Sequence, residues 1–104
     1  MVDWSNFKPY TPPLFMSVSN TGLVFLNKTL REKLNAKYVV CLVNMKTNQL
    51  ALKKCNRNNR YRCAISGMFI RSSKMVGIIR EMNPKENKFY GEYLEEEKAV
   101  LFQL

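Results

Sequence analysis

The chain has no histidine, three cysteines, four glycines, and not one aspartate or glutamate between Lys33 and Arg80. Each shortage excludes something. Without histidine, a serine or cysteine nucleophile lacks its commonest base. Cys41, Cys55 and Cys63 are odd in number and none is spaced as in a zinc knuckle, so no metal is expected. The glycines are scattered and form no phosphate-cradling loop. The one carboxylate cluster, Glu95 to Glu97, is consecutive; on a strand neighbouring side chains point to opposite faces, which does not build a two-metal centre. A non-enzymatic protein without a cofactor is expected. No apolar run approaches the roughly 18 residues that cross a bilayer, and the opening "MVDWSNFKPY" lacks the basic end and apolar stretch of a signal peptide. Those absences point to no membrane and to a cytoplasmic protein, where free thiols are the expected state.

What is present is a fold-forming composition and a lopsided charge. With 104 residues and 46% apolar content the chain supports a single domain over 1–104, with a modest core and no staple. The net charge is +9. Eleven basic residues and no acidic ones occupy Lys33 to Arg80, whereas six glutamates face three lysines from Glu81 onward. The densest stretch is "LKKCNRNNRYRC", residues 52 to 63. Lys53, Lys54, Arg57, Arg60 and Arg62 are read there as long cationic stems on an Asn-rich projecting turn, able to reach phosphates, with Tyr61 able to stack. A solvated basic loop that aids solubility is the plainer alternative. Cys55 and Cys63 are read as strand residues flanking that turn, free thiols being expected over the alternative of a disulfide that bridges the ends of the basic loop, and Cys41, in "YVVCLV", as a small core residue.

Local signals order the elements. "FKPYTPPLF" cannot be helix interior, because each proline removes a donor and restricts its predecessor; residues 1–14 are an extended lead-in whose Trp4, Phe7 and Tyr10, with Phe15, are available to cover a core edge. Two short strands are expected around Asn20-Thr21-Gly22. "NKTLREKLN" reads as a short helix with Asn27 as N-cap, Leu30 and Leu34 on one face, and Asn35 in the left-handed closing position. "KYVVCLVNM" is expected to be a strand buried on both faces or nearly so, turned by "KTNQ" and returned by "LALKKC". Further on, "RYRCAI" is strand-like and "SGMFIRSSKMVGII" is expected to be a helix capped by Ser66, with Met68 and Met75 on its face. "KFYGEYLEEEKAVLFQL" is expected to give two strands about the glutamates, with Tyr90, Val100 and Phe102 inward. No sequence repeat stands out.

The order strand, Gly turn, strand, short helix, apolar strand, Leu-x-Leu strand in residues 18–54 resembles the AbrB-type swapped-hairpin DNA-binding domains, a group that includes MazE-like antitoxins. Gly22 matches the turn glycine, Leu30-Arg31 the helix pair, Leu34 the next core position, and Leu50 and Leu52 the closing strand. The chain departs from the pattern at Leu23, where the family has arginine, at Asn27, where it has proline, and at Glu32, where some members place a second helix arginine. Only Arg31 carries over as a DNA contact, with Lys28 beside it.

The expectation is therefore an α+β fold, a small, mainly antiparallel β domain with two short helices and an AbrB-like hairpin-helix-hairpin in its first half. The resemblance implies a homodimer, since swapped-hairpin folds complete their core with a second chain. The expected function is DNA binding, DNA rather than RNA, by a transcriptional regulator or antitoxin-like factor that contacts phosphates through Lys53, Lys54, Arg57, Arg60 and Arg62, with Arg31 and Lys28 as a second contact. The alternative is a small phage or mobile-element protein that binds a host protein, with the aromatic lead-in as anchor and the basic loop on an acidic partner surface.

Overall fold

The computed structural model describes residues 1–104. Ten elements follow one another: β1 (Leu14–Val18), β2 (Leu23–Leu26), α1 (Lys28–Leu34), β3 (Tyr38–Asn44), β4 (Gln49–Lys54), β5 (Arg62–Ser66), β6 (Phe69–Arg71), α2 (Ser73–Met82), β7 (Lys88–Leu94) and β8 (Ala99–Gln103). The eight strands close into an antiparallel barrel in the order β1-β2-β6-β5-β3-β4-β8-β7. This overturns the expectation of an α+β domain with an AbrB-like hairpin-helix-hairpin fold in its first half, because β1 to β4 are closed into one barrel with β5 to β8. The two helices form no layer against a sheet. They plug the barrel, contributing Leu30, Leu34, Met75, Val76 and Ile79 to the same core cluster as the inward strand residues.

Closure follows from alternation. On β1, Leu14, Met16 and Val18 are buried while Phe15 and Ser17 face out. On β4, Leu50 and Leu52 are buried, and on β8 Val100 and Phe102. A period of two places every second side chain on one face, and a barrel of eight strands is just wide enough for those side chains to fill it. Fully burying each Leu or Ile contributes about 1.5–3 kcal/mol, and no polar side chain is buried to oppose it.

The strand order also reveals a repeat that the sequence hides. The unit strand-strand-helix-strand-strand occurs twice, as β1 to β4 with α1 and as β5 to β8 with α2. Exchanging the two units maps the circular strand order onto itself. Both β1–β2 and β5–β6 are turned at a glycine of positive φ, Gly22 at 81° and Gly67 at 62°. The β3–β4 and β7–β8 turns are four residues long, and each ends on a left-handed residue, Asn48 at φ 57° and Lys98 at 51°. Hairpins of the two halves alternate around the barrel, so the second half of the chain does what a second chain was expected to do. The core-completion argument for a homodimer therefore falls away.

Local expectations hold in the first half. Asn27 is the N-cap of α1, its Oδ1 accepting from Leu30 N at 3.1 Å, and Asn35 closes the helix at φ 44°. The same Oδ1 accepts from Phe15 N, and Nδ2 donates to Pro13 O at 2.8 Å, so one amide caps the helix and fastens β1. One expectation there fails: β3 is not buried on both faces, since its burial fades after Val40 and leaves Leu42 and Val43 exposed.

Two expectations for the second half and one for the lead-in are overturned. The helix expected from Ser66 starts only at Ser73, with Ser72 as its cap; residues before it form β6, because Gly67 turns the chain back and Ile70 enters the core. Tyr90 faces out. Its neighbour Gly91 faces in, because a Cβ there would lie 2.6 Å from Val100 Cγ1 and 2.8 Å from Phe102 Cε1. The lead-in covers no core edge: residues 1–13 are all exposed, and Phe15 lies on the barrel's outer face.

Two outcomes are expected. Gly91→Ala should lower stability by about 1–3 kcal/mol through overpacking against Val100 and Phe102, read as a reduced urea midpoint. Trypsin cleavage after Arg57 or Arg60, in the link between the halves, should leave a nicked protein that elutes as one species of unchanged size; separation into two fragments would contradict the interleaved order.

Candidate nucleic-acid interface

The link from β4 to β5, residues 55–61, joins two strands that flank β3 on opposite sides, so it must pass β3. Cys55 N donates to Tyr38 O at 3.0 Å where the link leaves β4. Two tight bonds then shape it, Asn59 N to Asn56 O and Arg62 N to Asn59 O, both 3.1 Å, and Asn59 Oδ1 accepts from Tyr61 N at 2.8 Å. Asparagine recurs here because its short amide satisfies backbone donors in turns. The arginines in the link are left exposed.

Strand register brings the flanking cations to the same place. Val40 of β3 pairs with Lys53 of β4 on one side and with Arg62 of β5 on the other. Residues paired in this way share a face, and two inter-strand steps set the cations about 10 Å apart. Val40 lies outside the main core cluster yet is only 9% exposed; the aliphatic stems of Lys53 and Arg62 flank it while their charged heads reach water. Arg62 stands over the Tyr38 ring at 6.0 Å and Arg60 over Tyr61 at 4.9 Å, contacts of the cation–π kind, and Arg62 Nη1 also donates to Asn59 O at 3.4 Å. Lys54 follows Lys53 at the end of β4, and Arg57 lies in the link itself. Register thus brings Lys53 and Arg62 to one face, whereas Lys54, in register with Val39, starts on the opposite face of β4, and Arg57 and Arg60 follow in the link.

Lys28 and Arg31 are placed differently. Lys28 pairs with Glu32 at 3.8 Å, and Arg31 Nε donates to Leu26 O at 3.0 Å, binding it to its own barrel end. Nothing joins either residue to the link. The Lys28–Glu32 contact is the only ion pair in the structure, so none of the five cations is paired directly with a carboxylate. The Glu95–Glu97 turn does approach: Ala99, which follows it, is in register with Lys53. Sequence reading missed Tyr38, which supports Arg62 from a neighbouring strand; its only signal was a polar-tipped aromatic at the start of an apolar strand.

The cysteines gather behind this surface and all three are free thiols. Burial pushes the Cys41 thiol up to about 12 from an ordinary 9.0, and the neighbouring Cys63 adds to the rise. Burial also raises Cys63, with Cys55 adding to it, and raises Cys55 against the opposing pull of Arg62. An open apolar groove of about 280 Å³ beside them is lined by Cys41, Cys63, Tyr61, Met75 and Ile78 among others.

No helix is long and apolar enough to cross a membrane. No family model, curated protein or solved structure matches the chain.

Near pH 8, iodoacetamide is expected to label Cys55 and Cys63 before Cys41, read by peptide mass, because only the thiolate reacts. A raised folded pKa stabilises fully below the unfolded value and loses that effect as pH rises through the folded one. The Cys41 contribution should therefore decline between pH 9.0 and about 12, seen as a pH-dependent difference in urea midpoint between the natural protein and Cys41→Ala.

Proposed function

We propose that this chain is a non-enzymatic DNA-binding protein of the transcriptional-regulator or antitoxin-like kind, acting in the cytoplasm. It grips the phosphate backbone through Lys53, Lys54, Arg57, Arg60 and Arg62. The observation that carries this reading is the register that sets Lys53 and Arg62 on either side of Val40 at the exit and entry of the basic link, with no carboxylate paired to any of the five. Phosphate contacts position a protein and base-edge contacts specify sequence; the asparagines of the link, Asn56, Asn58 and Asn59, are the amides within reach of base edges. Lys28 and Arg31 belong to the proposal only as a separate, weaker contact, because one is paired and the other tied to Leu26 O. The AbrB-type resemblance of residues 18–54 enters this proposal for function alone, since the fold it implies gives way to the closed barrel.

A second reading has its own observation. Trp4 and Phe7 pack ring to ring at 4.8 Å yet remain 69% and 62% exposed, in a lead-in that covers no core. Such anchors suit a pocket on a partner protein, with the basic link meeting an acidic surface.

Titration with a random duplex of about 30 base pairs separates the two. On the first reading, neutralising about five phosphates gives a log–log salt slope of roughly −4 to −5. The triple variant R57E/R60E/R62E should then weaken binding by about a hundredfold or more and flatten that slope, with circular dichroism confirming the fold. Unchanged duplex affinity in the folded variant would reject the residue assignment. No duplex binding by the natural protein even at low salt would favour the protein partner.

A further inference from the structure

Away from the basic link, four aromatic rings form an unbroken row on the outer wall of the barrel. Tyr90 of β7 pairs with Phe15 of β1, and their ring centroids are 5.9 Å apart. Phe15 meets Phe25 of β2 at 5.9 Å, and Phe25 meets Phe69 of β6, its register partner, at 5.7 Å. The row therefore crosses four adjacent strands, about 14 Å of wall. None of these rings belongs to the core cluster; Tyr90 is 60% exposed and the others are half-buried.

The charged residues of the same face are two cations, Lys88 and Arg71, and one carboxylate, Glu92. Lys88 pairs with Ser17, and its Nζ sits 4.0 Å from the Phe15 ring centroid and 5.4 Å from that of Tyr90. At the other flank Arg71 lies two residues from Phe69 on β6, opposite Leu23. Ser17, between Lys88 and Phe25, adds a hydroxyl in the middle of the row. The one carboxylate in these four strands, Glu92, lies beyond the row toward the end of β7.

We infer that this wall is a second binding surface and that its ligand is single-stranded nucleic acid. Rings stack on unpaired bases, every base has a π-face, and cations at both flanks take the backbone. A duplex buries its base faces and offers the row nothing to stack on. A second copy of this chain is disfavoured by charge, since it would bring the Lys88 and Arg71 of two molecules of net charge +9 face to face. The surface is distinct from the basic link, so the two stand or fall separately.

The test uses the full chain with an oligothymidylate strand of about twenty nucleotides and, in parallel, a duplex of similar length. Leucine at Phe15 and Tyr90 keeps apolar bulk and removes the rings. F15L/Y90L should weaken single-strand binding at least about fivefold and leave duplex binding unchanged, whereas R57E/R60E/R62E should act chiefly on the duplex. A single-strand loss below fivefold in folded F15L/Y90L overturns the inference, as does a natural protein that binds no single strand. Should the double variant fail to fold, photocrosslinking of a 5-iodouracil strand to the natural protein decides. Adducts at Tyr90, Phe15, Phe25 or Phe69 support the wall; adducts confined to Tyr38 or Tyr61, or none, overturn it. A chromatographic mass that falls from dimer to monomer in F15L/Y90L, with single-strand affinity unchanged, would assign the face to self-association instead.

Discussion

Closure of the barrel is the constraint from which the rest follows. Four of the eight pairings, β1–β7, β2–β6, β3–β5 and β4–β8, join strands of different halves, so neither half can satisfy its own strand edges. An open edge leaves a row of backbone donors and acceptors unpaired, and the interleaved order pairs them all around the ring. The link between the halves pays for this arrangement: it cannot join the sheet, must pass β3, and stays in solvent. That is where the chain carries its densest cationic stretch.

Closure also divides the side chains. Inward positions must fill a fixed volume, which is why Gly91 sits opposite Phe102 and Val100 and why the helices contribute only leucine, methionine, valine and isoleucine to the core cluster. Outward positions are free of that demand, and they differ around the ring. The β5-β3-β4 sector carries Arg62, Tyr38 and Lys53, while the β7-β1-β2-β6 sector carries Tyr90, Phe15, Phe25 and Phe69. The scaffold thus presents two chemically different walls.

The sequence announced what is local. Asn27, Leu30, Leu34 and Asn35 mark α1 because a cap, a four-residue spacing and a left-handed stop are all short-range signals. The β7–β8 strands were legible for the same reason. The barrel was not, because period-two alternation says which face a residue occupies and never which strand lies beside it. The β6 error has a similar root: in "SGMFIRSSKM" both serines can cap a helix, and only the pairing of Ile70 with Val24 and Ile65 selects Ser72. Tyr90 was misplaced because a tyrosine beside a glycine looks like the core residue, until the space claimed by Phe102 is known. At the basic link, the residue types were legible and their convergence was not; the gathering of Lys53 with Arg62 depends on a β3 that separates them by one strand on each side.

Ion pairing contributes little to holding this fold together. Seventeen basic and eight acidic side chains make one ion pair, Lys28–Glu32, whose side chains are 82% and 65% exposed. An exposed pair of this kind contributes a few tenths of a kcal/mol at most after solvent screening. No charged group is buried, and the core is wholly apolar. A net charge of +9 on a barrel of this size opposes compaction by self-repulsion, and ion pairing within the fold offsets almost none of it. The stems of Lys53 and Arg62 flank Val40, but their charge, like that of Lys54, Arg57 and Arg60, finds no carboxylate partner within the fold.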